Sequence, residues 1–329
     1  MDRTTAAEQQ ISGIGSDSTN AVIVVALLGA AFVLWWLCKW HPSLLPFWTP
    51  WEFSWLQFLT IVLTVWWYLH GLALTAAADR PSLARQLSFL GGMIVFYAMV
   101  QTRFEYLAEH MFFLNRVQHI GMHHLGPLLV ALSWPGATIK LGMPPFVRRL
   151  AEYRAIALGL NIVQQPVLAA ALFVGLVAFW LIPAVHFYAM VDPKVYAIMN
   201  WSMVVDGILF WCLVLDPRSK PPARTSFGTR VVLATGVMFP QILIGAIIAL
   251  SRRDLYPFYD LCGRIYPAIK AGTDQVIGGL IIWIPAAMMS VVALTMVINA
   301  FRRYEDAKKE DAYGKDLSGS AIQATLWTG

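Results

Sequence analysis

The chain has 329 residues, of which 58% are hydrophobic and only 13% charged, and its mean hydropathy is +0.60. Soluble globular domains carry about 25% charged residues, so this composition excludes a soluble domain and points to a polytopic membrane protein. The formal net charge of +5 reads as loop topology, not as a nucleic-acid surface, because the basic residues are sorted by loop.

In chain order, residues 1–20 are a polar tail with a single basic residue, Arg3. The apolar run 21–38 is longer than a signal-peptide core and lacks a small-residue cleavage site, so it reads as the first spanning helix. The connection 40–55, WHPSLLPFWTPWEFSW, is rich in proline, which forbids a regular helix, and in tryptophan, which suits a membrane interface. Seven further segments approach the roughly 20 residues needed to cross the hydrocarbon core: 56–77, 87–107, 117–134, 157–181, 195–215, 231–250 and 276–301. They are too long and too continuously apolar for barrel strands, and in lipid only helices or closed barrels satisfy the backbone. The expected fold is therefore an all-α bundle of about eight transmembrane helices, with a transmembrane domain at 21–301 and a charged tail at 302–329. Lysine and arginine concentrate in the loops around Arg80, Arg148, Arg218 and Arg302 and are fewer on the other side, which places both termini in the cytoplasm. Three cysteines, Cys38, Cys212 and Cys262, form no CxxC pair and indicate neither a disulfide framework nor a zinc site.

The chemistry concentrates in residues 109–127, EHMFFLNRVQHIGMHHLGP, which hold four of the seven histidines. On a helix, Asn115, His119, Met122 and His123 share one face. His124 lies about 100° round from His123, and His110 with Met111 sits a turn or more earlier. Imidazole and thioether together suit copper, and thioether favours the cuprous state. The candidate metal ligands are His119, His123, Met122, His110, Met111 and His124, expected at or near the outer surface. Packing histidines held by hydrogen bonds are the competing reading, and the residues alone leave both open.

Ionisable groups inside membrane helices are costly and are usually paired or functional. Asp206 and Gln241 stand at similar depth in their segments, and a mutual hydrogen bond or a proton relay accounts for them. Arg103, Glu105 and Glu109 fit a local ion pair with Arg116. Asp274 fits a cap on the last helix, or a carboxylate that orients an imidazole ligand.

Two stretches together resemble the CtaG family of membrane-embedded cytochrome c oxidase assembly factors. The first is QHIGMHHLGPLL, 118–129, in which His119 and Pro127 keep the family's histidine-to-proline spacing. The second is DQVIGGLIIWIP, 274–285, with Asp274 and Gln275 at its head. YLHGLAL from Tyr68 and GILFWCLVL from Gly207 are more weakly similar, and the likeness spans roughly 58–301. The chain departs from the family at Asn115 and Arg116, where His-Met is common, and at Leu181, Tyr196 and Asn200, where the family tends to place histidines.

The resemblance implies a non-enzymatic, multi-pass protein of a bacterial inner membrane. It would hold copper transiently, in the cuprous state, and aid its insertion into a haem-copper oxidase subunit. A periplasmic copper carrier and membrane lipid are the further partners, and no nucleic acid is involved. A copper or proton transporter, a purely structural assembly scaffold and a haem b-binding redox protein are the alternatives.

Overall fold

The structure, a computed structural model, describes the backbone of residues 3–50 and 52–326 and the side chains of residues 21–50 and 52–310. The tail at 1–20 and the far part of that at 302–329 thus lie outside the described side chains. The chain is about 80% helical, with no strand among the described residues.

Helix α1 (Arg3–Trp40) contributes an apolar span at Ala21–Trp40 that packs only at the edge of the bundle. The Pro/Trp-rich connection that follows is irregular apart from a single 3-10 turn at Pro42–Leu44 and leaves Trp48 exposed. Next come α2 (Trp55–Leu74) and α3 (Leu83–Val100), then the short α4 (Phe104–His110). Helices α5 (Phe112–Ile120) and α6 (Gly126–Ser133) are joined without a break by a π-helical turn, Gly121–Leu125. On the far side of the bundle follow α7 (Gly136–Gly142), α8 (Pro145–Ala151) and α9 (Arg154–Val163). The chain continues through α10 (Pro166–Trp180), α11 (Pro183–Val191) and α12 (Pro193–Val214). It ends with α13 (Phe227–Gly236), α14 (Met238–Leu250), the short α15 (Phe258–Cys262) and the long α16 (Ala271–Leu326).

Six of the described helical stretches are long and apolar enough to cross a membrane, and α9 with α10 makes a seventh if that bent pair counts as one span. The expectation of eight is therefore not met on this measure, and two segments explain why. The stretch expected to span at 157–181 bends by 78° between α9 and α10. Pro166 forces Gln165 into an extended conformation, and the Gln165 side chain then caps α10 through the Leu168 N–H. The other segment, expected at 117–134, is a continuous helical run over 112–133, which at 1.5 Å per residue is about 33 Å long. It carries Asn115, Arg116, Gln118 and three histidines, all buried, so it is too polar to face lipid and lies inside the bundle between α3, α12 and α16.

Glycines set these close approaches. The backbones of α14 and α16 meet at Gly245 and Gly279, where a Cβ on either would come within 2.7 Å of the other's carbonyl oxygen. Such small-residue contacts are how membrane helices gain packing energy when hydrophobicity no longer discriminates.

Candidate functional site

The central segment begins where Met111 adopts an extended conformation and breaks α4 from α5. The exposed N–H groups at the start of α5 are answered from the far end of the sequence. The Asp274 carboxylate, in the first turn of α16, accepts from Phe112 N at 3.0 Å and Phe113 N at 2.7 Å and also pairs with Arg264. Asp274 therefore caps α5 and not its own helix, and it lies beside no histidine ligand. Its neighbour Gln275 closes another helix end. Its amide donates to the carbonyls of Ile248, Ser251 and Arg253 and accepts from Leu255 N, holding the C-terminus of α14 and the chain beyond it.

Within the segment, Pro127 has no N–H to offer the His123 carbonyl four residues back, and its ring would crowd that carbonyl in an α-helix. The helix widens there into the π turn, with Gly126 N bonded to Gly121 O. Such insertions are frequent at functional sites. Gly207 of α12 packs directly on the His123 carbonyl, a place no larger residue fits. The turn carries His123 and His124 side by side, with ring centroids 4.8 Å apart.

Each of these two rings is held by a residue expected to pair with the other's partner. His123 Nε2 lies 3.0 Å from Asp206 Oδ2, and His124 Nε2 lies against the Gln241 amide, 3.2 Å from its Nε2 and 3.4 Å from its Oε1. Asp206 and Gln241 thus each take a histidine and do not bond each other. Asp206 lies just past the middle of α12, so the pair stands at mid-depth and not near a surface, which corrects the expected outer-side placement of these histidines. A carboxylate at Nε2 fixes that nitrogen as the N–H and leaves Nδ1 with its lone pair. Nδ1 of His123, Nδ1 of His124 and both ring nitrogens of His119 have no hydrogen-bond partner among the described residues.

These three histidines, with Arg116, Gln241 and Met203, line one small cavity of about 20 Å³. That is room for about one water or a single ion. Arg116 is 2% exposed, and its guanidinium meets Asn115 Oδ1 and the face of Phe112, 5.0 Å away, with no carboxylate paired to it among the described residues. The ion pair expected between Arg116 and Glu105 or Glu109 is therefore not formed. Arg103 bonds the carbonyls of Pro42 and Leu45.

Met122, His110 and Met111 are not brought to the cavity. Met122 is buried on another side of the segment, among Tyr68, Phe89 and Met93. His110 sits at the end of α4, its Nδ1 on Tyr106 O at 2.8 Å, and Met111 is buried at the break between α4 and α5. Among the described residues no group of three or more His, Cys, Asp and Glu is arranged to hold a metal ion. Asn115 links outward, donating to Met190 Sδ at 3.8 Å. His186 is fully buried on α11 and bonded to Tyr259 Oη and Trp180 O.

Beyond the end of α5 lies an open cavity of about 400 Å³ bordered by Glu52, Glu105, Glu109, His110, Met190 and Cys262. Burial, and then the negative charge of Glu52, lift Glu109 to a pKa of about 7. Glu105 is raised well above the usual carboxylate range by burial, then by Glu109 and Glu52. Between this cavity and the histidines, Tyr196 donates to Gln118 Oε1 at 2.8 Å while Gln118 Nε2 holds Met99 O.

Residues 66–303, well over half of the chain, match the family described as cytochrome c oxidase caa3 assembly factor (Caa3_CtaG). The chain belongs to this family. No curated protein and no solved structure matches it significantly. The family's role is in assembling cytochrome c oxidase, and the stretches that resemble the family form one structural unit here. Asp274 and Gln275 head the second stretch and tie α16 to α5 and α14. Gly278, further along it, packs on Phe112 and Arg116. Gly207, from a weaker stretch, seats the π turn that carries His123 and His124.

Proposed function

We propose that this chain assists assembly of cytochrome c oxidase by holding one cuprous ion among His119, His123 and His124 and releasing it to a copper-receiving oxidase subunit. The observation that carries the reading is the set of unpartnered ring nitrogens on three buried histidines around one ion-sized cavity. Asp206 occupies the Nε2 of His123, which leaves its Nδ1 as the donor atom a metal takes, and Gln241 holds the Nε2 side of His124. Cuprous copper accepts two or three such ligands. The chain's work is in the cargo's binding and release, without a catalytic step. A bacterial inner membrane and a periplasmic copper carrier as donor complete the reading.

The Arg116 guanidinium on the same cavity repels a second cation. That repulsion weakens the hold, which suits a site that must let its cargo go. A metal-free scaffold is the second reading, favoured by the lack of a ready-made ligand set among the described residues.

Anaerobic loading of detergent-purified protein with cuprous copper, followed by elemental analysis, separates the two. Copper near one equivalent, lost in both His119→Ala and His123→Ala, is the expected result. Native protein that keeps no copper above background overturns the delivery reading and leaves assembly to protein contacts alone.

A further inference from the structure

At the opposite end of the bundle from the acidic cavity, a larger one of about 650 Å³ opens between α3, α6, α12, α13 and α16. Its level is fixed by the helices around it. The α3 span begins at Leu83, the α12 span ends at Val214 and the span of α13 with α14 begins at Phe227, so the mouth lies where the chain passes from the hydrocarbon core to the surface. Leu132 and Met296 supply an apolar wall, and Arg85 and Arg303 stand exposed at the rim with Tyr304.

The charges around the cavity are unequally committed. Asp216 is clasped by Arg218, through Nε at 2.9 Å and Nη2 at 2.8 Å, which neutralises it. Arg230 is buried and spent on the carbonyls of Asp216, Arg218 and Thr225. Arg85 and Arg303 have no hydrogen-bond or ion-pair partner among the described residues. Two free guanidiniums thus face a cavity that already holds a buried cation and has no uncompensated carboxylate. Arginine binds phosphate oxygens in a planar, two-pronged fashion.

We propose that this cavity binds the phosphate headgroup of an anionic glycerophospholipid, with Arg85 and Arg303 as its ligands and the first acyl carbons against Leu132 and Met296. A free phosphate ion shares the headgroup chemistry but leaves that apolar wall unused. Basic cavities between transmembrane helices at the membrane surface hold anionic headgroups in just this way. The lipid would bridge α3 to α16, two of the helices that enclose the central segment.

Native mass spectrometry on the delipidated full chain in detergent tests this, using phosphatidylglycerol and phosphatidylcholine with the same acyl chains. The expected result is a preference for phosphatidylglycerol of about tenfold or more, on the scale of two basic groups at an anionic surface. The Arg85→Gln/Arg303→Gln double variant should lose that preference, and Arg85→Lys/Arg303→Lys, which keeps the charge without the planar fork, should keep part of it. Millimolar inorganic phosphate should not displace the lipid. Equal retention of both lipids, undiminished preference in the glutamine variant, or displacement by inorganic phosphate each overturns the assignment. Both arginines are exposed, so the variants fold, and an unchanged melting temperature verifies that.

Discussion

The carboxylate of Asp274 reaches the N–H of Phe113 at 2.7 Å across 161 residues of sequence, and the N-terminus of one buried helix is thereby capped from the first turn of another. The same group pairs with Arg264, whose side chain is 10% exposed. Asp274→Ala removes a cap, which costs about 0.5–2 kcal/mol, and takes one of two carboxylates from Arg264, which keeps Asp260 at 2.6 Å. A loss of about 1–2 kcal/mol follows, read as a lowered melting temperature in detergent. Asp274→Asn keeps one acceptor and should lose less. Equal melting of wild type and the alanine variant would show that this cap contributes nothing to the fold.

That relationship also shows what the sequence could and could not convey. Six of the eight expected segments coincide with helices long and apolar enough to cross a membrane, because apolar runs of this length leave the backbone no alternative in lipid. The cluster at 118–124 was legible as chemistry, since histidines in an apolar chain are few and adjacent. Partners were not legible. Asp206 and Gln241 stood at matching depth, which suggested a mutual bond, but depth is one coordinate and rotation about the helix axis decides which neighbour each side chain meets. The π turn was hidden because helical periodicity assumes the α repeat, although Pro127 four residues after His123 was a signal for it. Met122 matched the expected ligand face for the same reason, and the widened turn packs it elsewhere.

In the proposed copper site Asp206 acts only through His123. Asp206→Asn retains an oxygen acceptor for Nε2–H and so should leave the fold intact, with melting within a few degrees of wild type. It removes the negative charge that makes the imidazole a better donor at Nδ1. Outer partners of this kind change metal affinity by about 10–100-fold. Cuprous affinity, measured by competition with a chromophoric chelator, should fall by that order while His123→Ala abolishes binding. Unchanged affinity in Asp206→Asn would reduce the pair to a packing contact.

The acidic cavity gives the protein a pH signature. Glu109 is lifted to about 7 by burial and by Glu52. A carboxyl raised in the folded state contributes stability that is complete below the ordinary carboxylate range and is lost as the pH climbs through about 7. Melting should therefore be higher at pH 5 than at pH 8. Glu109→Gln should flatten that slope, and adding Glu105→Gln should flatten it further, because Glu105 is raised in the same direction. A wild-type slope that survives both substitutions would place its origin elsewhere.

Arg116 is the test of whether the histidine cavity is built for weak holding. Its guanidinium lines the cavity, is buried, and has Asn115 and Phe112 as contacts in place of a carboxylate. A unit charge at contact range in a medium of intermediate dielectric is worth a few kcal/mol, so it lowers the affinity of any cation beside His119. Arg116→Gln can still donate to Asn115 Oδ1 while losing the charge. Cuprous retention should then rise on the order of tenfold or more, and copper transfer to the oxidase should slow, since release is harder. Both effects together identify Arg116 as the group that keeps the cargo exchangeable. Lower retention in the variant, with melting unchanged, would mean instead that the guanidinium positions His119.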